Sequence, residues 1–184
     1  MQISANSYAE VDYVLQDENG EVLDDSTSHD GERLRYVHGY GMLVPGLEKR
    51  LEGLAAGSTA EIVVPPEEAY GLHDEELVFS VDRGAAPTAG EGDEIVLEDE
   101  GGDETVVHVV EVHPEELVVD GNHPLAGLTL RYKVVVREVR EATAEEIEKA
   151  ARAFDEEREK AEPGETNLVP LFALKRTKDE GLPN

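Results

Sequence analysis

Residues 36–54 constrain the fold more than any other part of the chain. An extended segment ends at His38, two glycines turn the chain, and Pro45 opens a short helix. Proline suits the first turn of a helix because its missing N–H would have had no partner there. The apolar helix residues share one face: Leu47, Leu51 and Leu54. A single helix set between strands must bury such a face against a sheet. The sequence therefore predicts a cavity floor at the helix start, formed by Leu43, Val44 and Leu47.

Alternating apolar and polar residues predict antiparallel strands on both sides of this helix. The strand patterns cover residues 9–15, 21–24, 34–38, 60–64 and 128–136. Asn19-Gly20 is a tight hairpin signal between the first two. The last pattern is long and apolar, which suits a central strand of the same sheet.

A second group of strand patterns lies between residues 76 and 120. They cover residues 76–81, 93–99, 105–112 and 117–120, with a hairpin signal at Gly101-Gly102. We expect a small antiparallel meander, inserted between two halves of one domain. The predicted division is 1–75 with 121–142, an insert at 76–120, and a C-terminal part at 143–184.

The C-terminal part begins with the capping-box pattern Thr143-x-x-Glu146 and predicts an acidic helix that ends at Pro163-Gly164. An apolar tail segment follows, containing Val169, Pro170, Leu171 and Phe172. This segment either packs on its own domain or docks as a pseudo-substrate, in cis or in a neighbouring molecule.

Charge and composition exclude several classes of function. The 43 acidic and 16 basic residues leave a net charge of −27, which disfavours binding to nucleic acid and to anionic membranes. The acidity indicates either solubility or adaptation to high salt. Cysteine is absent, which excludes disulfides, thiol catalysis and thiolate metal sites. The N-terminus has neither a basic start nor an apolar run, so we expect a soluble cytoplasmic protein.

Several short motifs, each weak alone, occur in one order along the chain. They are Tyr13, Leu23-Asp24, Tyr36-Val37-His38-Gly39, Leu43-Val44-Pro45-Gly46-Leu47-Glu48, Glu52-Gly53, Ala69-Tyr70-Gly71, Val119-Asp120-Gly121-Asn122-His123-Pro124-Leu125-Ala126-Gly127 and Val139-Arg140-Glu141-Ala142-Thr143. From about residue 7 to about residue 145, this ordered set resembles the SlyD-type branch of the FKBP peptidyl-prolyl isomerases.

The resemblance implies a fold, an activity and a site. The fold is α+β and mostly β, a half-open antiparallel sheet wrapped on the short helix, with a small inserted β-rich domain and a C-terminal helix. The activity is cis–trans isomerisation of X–Pro bonds without a cofactor. The implied prolyl pocket consists of Tyr13, Leu23, Asp24, Tyr36, Leu43, Val44, Leu47, Tyr70 and Tyr132. Within it, the Tyr70 hydroxyl and the Val44 N–H are candidate donors to the substrate, and Asp24 orients Tyr13 or polarises the site.

The insert would act as an insert-in-flap chaperone domain that captures unfolded chains through Leu77, Val78, Phe79 and Val81. The alternative is a holdase whose isomerase activity is weak or residual. A feature of many SlyD-type members is missing, because no histidine or cysteine follows His123. We therefore predict no metal site, and Leu47 in place of the tryptophan common in FKBPs predicts weak binding of macrolide inhibitors.

Overall fold

A computed structural model of the chain describes residues 1–28, 32–98 and 104–160, and side chains as far as residue 156. The fold is α+β and mostly β, as predicted. Its helices are α1 (Pro45–Leu51) and α2 (Ala144–Lys160). Its strands are β1 (Ser7–Gln16), β2 (Val22–Asp25), β3 (Leu34–Val37), β4 (Thr59–Val64), β5 (Val78–Asp82), β6 (Glu94–Glu98), β7 (Glu104–Val112), β8 (Glu116–Asp120) and β9 (Leu130–Glu141). Neither helix, over the described residues, has the length and apolarity needed to cross a membrane.

The chain divides into two compact units. The first unit joins Met1–Ala69 to the chain from Thr129 onward, and the second is Tyr70–Leu128. The boundaries expected from the sequence, after residues 75 and 120, fall inside the second unit.

The first unit contains an antiparallel sheet in the order β2-β1-β9-β4, with β3 also paired to β1. Strand β9 is central, as its apolar alternation predicts, because it pairs with β1 along one side and with β4 along the other. Alternate residues of β1 form the core face: Ala9, Val11, Tyr13 and Leu15 are all buried. The hairpin predicted at Asn19-Gly20 is present, with Gly20 in the left-handed region at φ 86°.

Helix α1 packs against this sheet through Leu47 and Leu51, both buried. It ends at Leu51, earlier than expected, so Leu54 lies beyond the helix and is only half-buried. The backbone leaves the helix at Glu52, whose ψ is 135°, and Gly53, with a φ of 83°, completes a turn in which the Leu54 N–H donates to the Leu51 carbonyl at 3.2 Å.

The C-terminal helix α2 begins at the predicted capping box. The N–H of Thr143 donates to the Glu146 carboxylate at 2.8 Å, and the N–H of Glu146 donates to the Thr143 hydroxyl at 3.3 Å. The predicted end at Pro163-Gly164 and the tail segment Val169–Phe172 lie outside the described residues.

The second unit differs from the predicted meander. Its sheet has the order β5-β8-β7-β6, so β5 pairs with β8 and not with the strand that follows it. This is a Greek-key order, read from the last strand to the first. An inserted segment starts and ends close together, and the pairing of Val78 with Asp120 brings its first and last strands side by side.

The first strand of the second unit starts two residues later than expected, at Val78. Residues 75–77 form a 3-10 turn instead, because the Asp74 carboxylate accepts the N–H of Glu76 and caps it. The buried core of this unit consists of Ala89, Val107, Val109, Leu117 and Val119. The predicted turn at Gly101-Gly102 lies outside the described residues.

Candidate active site

The predicted cavity floor lies at the beginning of α1. Leu43, Val44 and Leu47 are each at most 2% exposed. Val44 is the residue before the helix, and its carbonyl accepts the N–H groups of Leu47 and Glu48 at 3.0 Å. Its own N–H lies outside the helical hydrogen-bond pattern, because the first N–H groups of a helix have no partner within it.

A glycine brings α1 close to the sheet. A Cβ atom on Gly46 would lie 2.4 Å from Val64 Cγ1 and 2.8 Å from Glu68 Cβ, so only glycine fits there. This close approach keeps the floor residues against strand β4.

The Tyr13 side chain is fixed by two neighbouring strands. Its hydroxyl donates to Asp24 Oδ2 at 2.5 Å, and its ring lies 6.5 Å from that of Tyr132 with a 55° tilt. The main-chain N–H of Tyr13 donates to Ser26 Oγ at 2.7 Å, which ties β1 to the end of β2. The structure therefore brings Tyr13, Asp24 and Tyr132 together, and Leu23, half-buried, precedes Asp24 on β2.

The Tyr36 hydroxyl is buried and has no hydrogen-bond partner among the described residues. Burial is the main reason that the pKa of Tyr36 is raised, and the negative charge of Glu48 raises it further. Glu48 is held by the N–H of Gly39, which donates to Oε1 at 2.7 Å. The Tyr36 hydroxyl thus stays protonated and keeps its ability to donate a hydrogen bond.

Tyr70 belongs to the second unit, unlike the other predicted pocket residues. Its ring stacks on the imidazole of His123, with centroids 3.9 Å apart and planes 3° from parallel. The motif from Asp120 to Gly127 therefore meets Tyr70 directly, although about 50 residues separate them in sequence.

The residues predicted to bind clients all lie at the start of the second unit. Leu77 and Phe79 are 44% and 41% exposed, whereas Val78 and Val81 are half-buried. Val81 also packs against the core of this unit. Exposed apolar surface is thus concentrated in two of the four residues.

Within the part of the chain that the structure describes, no group of three or more histidine, cysteine or acidic residues could hold a metal ion. The histidines have other contacts. His73 Nε2 lies 2.9 Å from Asp120 Oδ2, and His113 Nε2 lies 3.1 Å from Glu111 Oε2.

Sequence reasoning missed two features of these residues: the stacking of His123 on Tyr70 and the burial of the Tyr36 hydroxyl without a hydrogen-bond partner among the residues described. Neither has a periodic signal in the sequence. The histidine and tyrosine of the stack sit in separate motifs, and only their joint occurrence in one ordered set could have suggested a contact.

The sequence of the chain matches a known family of enzymes. The family model of FKBP-type peptidyl-prolyl cis-trans isomerases matches residues 1–113 of the chain. The chain therefore belongs to this family, which confirms the predicted family and class of enzyme.

Among its relatives are proteins named FKBP-type peptidyl-prolyl cis-trans isomerase SlyD. That of Aeromonas hydrophila is 44% identical over 149 residues, covering 80% of this chain and 69% of the relative. That of Treponema pallidum is 39% identical over 158 residues, covering 85% of this chain and 88% of the relative. The crystal structure of FkpA from Escherichia coli can be superposed on this chain with a TM-score of 0.43 and 18% sequence identity. The superposition covers 77% of this chain and 44% of the FkpA chain.

Proposed function

We propose that this chain isomerises X–Pro bonds of unfolded or partly folded polypeptides at the beginning of α1. The observation that carries the proposal is the buried apolar floor of Leu43, Val44 and Leu47, supported by the Tyr13–Asp24 pair on β1 and β2. The proposed site residues are those expected from the sequence: Tyr13, Leu23, Asp24, Tyr36, Leu43, Val44, Leu47, Tyr70 and Tyr132.

The reaction suits such a site because it requires no bond to be made or broken. Rotation about the X–Pro amide has a barrier of about 18–20 kcal/mol and takes tens to hundreds of seconds unaided. In the twisted state the amide has lost its resonance and the carbonyl oxygen carries less charge. An apolar, water-poor pocket favours that less polar state, and each ~1.4 kcal/mol of stabilisation gives about a tenfold rate increase.

Two donors hold the substrate in this proposal. The Val44 N–H, which the helix leaves unused, donates to a substrate carbonyl, and the Tyr70 hydroxyl donates to a second one. Tyr36 contributes an apolar ring surface, and Asp24 orients the Tyr13 ring through their hydrogen bond.

Leu47→Ala tests the site, with Leu51→Ala as the matched control. Both leucines are buried in α1 one turn apart, so both variants lose about 2–5 kcal/mol of stability. Assayed where both remain folded, Leu47→Ala is expected to lower kcat/KM for an Ala-Leu-Pro-Phe peptide at least about tenfold, and Leu51→Ala less than about twofold. Equal losses in the two variants would place the floor elsewhere.

We also propose that the insert at 76–120 captures unfolded chains through Leu77 and Phe79, its exposed residues in this region. A holdase needs an exposed apolar surface, and an extended client offers both apolar side chains and strand edges to it. Val78 and Val81 are half-buried, and Val81 packs against the core of the insert. A cytoplasmic location and docking of the tail segment Val169–Phe172 stay predictions from the sequence.

A double variant, Leu77→Ser with Phe79→Ser, tests capture in the full chain. Its control is Val96→Ser with Val106→Ser, a cross-strand pair that is 58% and 55% exposed on the opposite face of the same sheet. The first variant is expected to lose suppression of client aggregation while tetrapeptide turnover stays within twofold. An equal loss of aggregation suppression in the two double variants would contradict the assignment. A wild-type chain that suppresses aggregation but does not accelerate isomerisation of the tetrapeptide would favour the holdase alternative.

A further inference from the structure

The motif from Asp120 to Gly127 has a structural role that the proposed reaction does not use. It runs beside residues 70–74, and we call these two segments together the neck. The N–H of Gly127 donates to the carbonyl of Gly71 at 2.8 Å. A Cβ on Gly127 would lie 3.2 Å from His73 Cβ, and its φ of 77° is left-handed, so glycine is required here.

Side-chain contacts close the other end of the neck. The Asn122 side chain makes two hydrogen bonds with the backbone of Asp74, as a neighbouring strand would. Its Oδ1 accepts the Asp74 N–H at 2.9 Å, and its Nδ2 donates to the Asp74 carbonyl at 2.8 Å. Asp120 Oδ2 lies 2.9 Å from His73 Nε2, and Asp120 Oδ1 also accepts from the Asn122 side chain at 2.7 Å. The two segments are thus tied at both ends.

The Tyr70–His123 stack lies within this frame. Parallel rings with centroids 3.9 Å apart leave the tyrosine ring no room to turn towards the imidazole side. A tyrosine side chain has only two main torsions, so a fixed ring plane also restricts where its hydroxyl can point.

The imidazole itself is held in place. The N–H of Leu125 donates to His123 Nδ1 at 3.1 Å, which assigns the ring proton of the neutral form to Nε2. The carbonyl of His123 accepts the N–H of Ala126 at 2.8 Å, which fixes the backbone beneath the ring. Burial, and then the charge of His108, lower the pKa of His123, so the ring is neutral at pH 7.

We infer that His123 is a positioning residue for the isomerisation: its clamped imidazole sets the ring plane of Tyr70 and thereby the direction of the Tyr70 hydroxyl. The inference rests on the proposed role of that hydroxyl as a donor to the substrate. Correct orientation contributes mainly to the rate of the chemical step, since a misplacement of about 1 Å lowers it by up to about 10²-fold.

The test compares three full-length variants: His123→Ala, His123→Phe and Tyr70→Phe. Alanine and phenylalanine both remove the acceptor for the Leu125 N–H, so their difference isolates the flat ring. His123→Ala is expected to lower kcat about three- to tenfold with KM within twofold, as the strength of aromatic pairs indicates. His123→Phe is expected to recover at least half of wild-type kcat, and His113→Ala, an exposed histidine of the same unit, to leave it unchanged.

A second measurement separates positioning from general stability. With ¹³C-labelled tyrosine, the ring-proton shifts of Tyr70 are expected to lose the upfield ring-current contribution in His123→Ala and to keep one in His123→Phe. Tyr70→Phe identifies the signal. In the Tyr70→Phe background, His123→Ala is expected to add less than a further twofold loss, because it acts through the hydroxyl that is already absent.

The outcomes distinguish the two hypotheses. If Tyr70→Phe is impaired but His123→Ala is fully active, the positioning inference is wrong and the proposed donor stands. If Tyr70→Phe is fully active, the Tyr70 hydroxyl is not the donor. The proposed donor role and the positioning inference are then both wrong. Additive losses in the double variant would show that His123 acts by another route and would also overturn the inference.

Discussion

The hydroxyl of Tyr13 donates a hydrogen bond of 2.5 Å to Asp24 Oδ2, joining β1 to β2 at the proposed prolyl site. The two residues are not direct cross-strand partners, since Asp24 pairs with Leu15 in the β1–β2 register. The contact is therefore made by side chains that lean along the strands. We propose that Asp24 orients the Tyr13 ring through this hydrogen bond.

This relationship gives a prediction about Asp24. An asparagine at position 24 still accepts the Tyr13 hydroxyl, so Asp24→Asn is expected to keep at least a third of wild-type kcat/KM. Asp24→Ala leaves the hydroxyl without its acceptor and is expected to lose about tenfold, because a hydrogen bond to a charged group is worth about 1.5–3 kcal/mol. Tetrapeptide kinetics provide the measurement.

Asp25→Ala is the control, because Asp25 lies next to Asp24 on β2 and its carboxylate accepts from the N–H and the hydroxyl of Thr27. A loss in Asp24→Asn as large as in Asp24→Ala would mean that the charge itself, and not orientation, is what the site requires.

Gly46→Ala is expected to destabilise the chain by about 1–3 kcal/mol, the usual cost of overpacking. The added methyl group would meet Val64 Cγ1 at 2.4 Å and the Glu68 carbonyl oxygen at 2.9 Å, and the helix can move away only by opening the floor. The urea midpoint gives the stability change. Gly90→Ala, whose Cβ would have an ordinary 3.7 Å contact with Asp93, is expected to change the midpoint little; similar shifts for the two would contradict the prediction.

Glu146 is expected to make the start of α2 sensitive to acid. Its hydrogen bonds with Arg140, first, and with the Thr143 N–H lower its pKa from 4.5 to about 2. A carboxyl group with a lowered folded-state pKa stabilises the fold fully above its unfolded-state pKa and loses that contribution as the pH falls towards the folded value. The contribution of Glu146 should therefore fade between about pH 4.5 and pH 2.

Amide exchange at Thr143 and the helical circular dichroism signal, followed from pH 6 to pH 2, test this expectation. Glu146→Gln should start with a frayed helix and show a smaller further change in that window. Arg140→Lys should show an intermediate response, since lysine cannot reproduce the paired contacts of the guanidinium at 2.8 and 2.6 Å. Parallel acid profiles for wild type and Glu146→Gln would show that Glu146 is not responsible.

Salt is expected to stabilise the chain. A net charge of −27 on 184 residues repels itself in the folded state, and this repulsion is screened over about 10 Å at 0.1 M salt and over about 3 Å at 1 M. The melting temperature should rise between 0.1 and 2 M KCl, with most of the rise below 1 M. A melting temperature that does not change with KCl would exclude adaptation to high salt as the reason for the acidity. Solubility would then be the remaining explanation.

Local patterns predicted much of the fold and part of the site. The alternation in β1 and in β9, the proline that opens α1 and the Thr143–Glu146 capping box each depend on neighbours within a few residues, and backbone sterics act over the same range. The apolar floor at Leu43 and Val44 was predictable for the same reason. The two residues form an apolar pair directly before the proline that opens α1, and both are buried.

Only the tertiary structure decided which distant segments meet. Asp12 is buried on a strand whose pattern makes it a solvent-facing residue, because Arg33 and Arg137 donate to its two oxygens at 2.7 and 2.6 Å. The pairing of β5 with β8 and the stacking of the His123 ring on Tyr70 were likewise decided by the tertiary structure. So was the burial of the Tyr36 hydroxyl, which has no hydrogen-bond partner among the described residues. Sequence by itself determined the elements and the family, whose signals are local or ordered along the chain. The neck, the ion pairs of Asp12 and the Tyr13–Asp24 hydrogen bond depend on contacts between residues 11 to 125 positions apart, and no local preference encodes those.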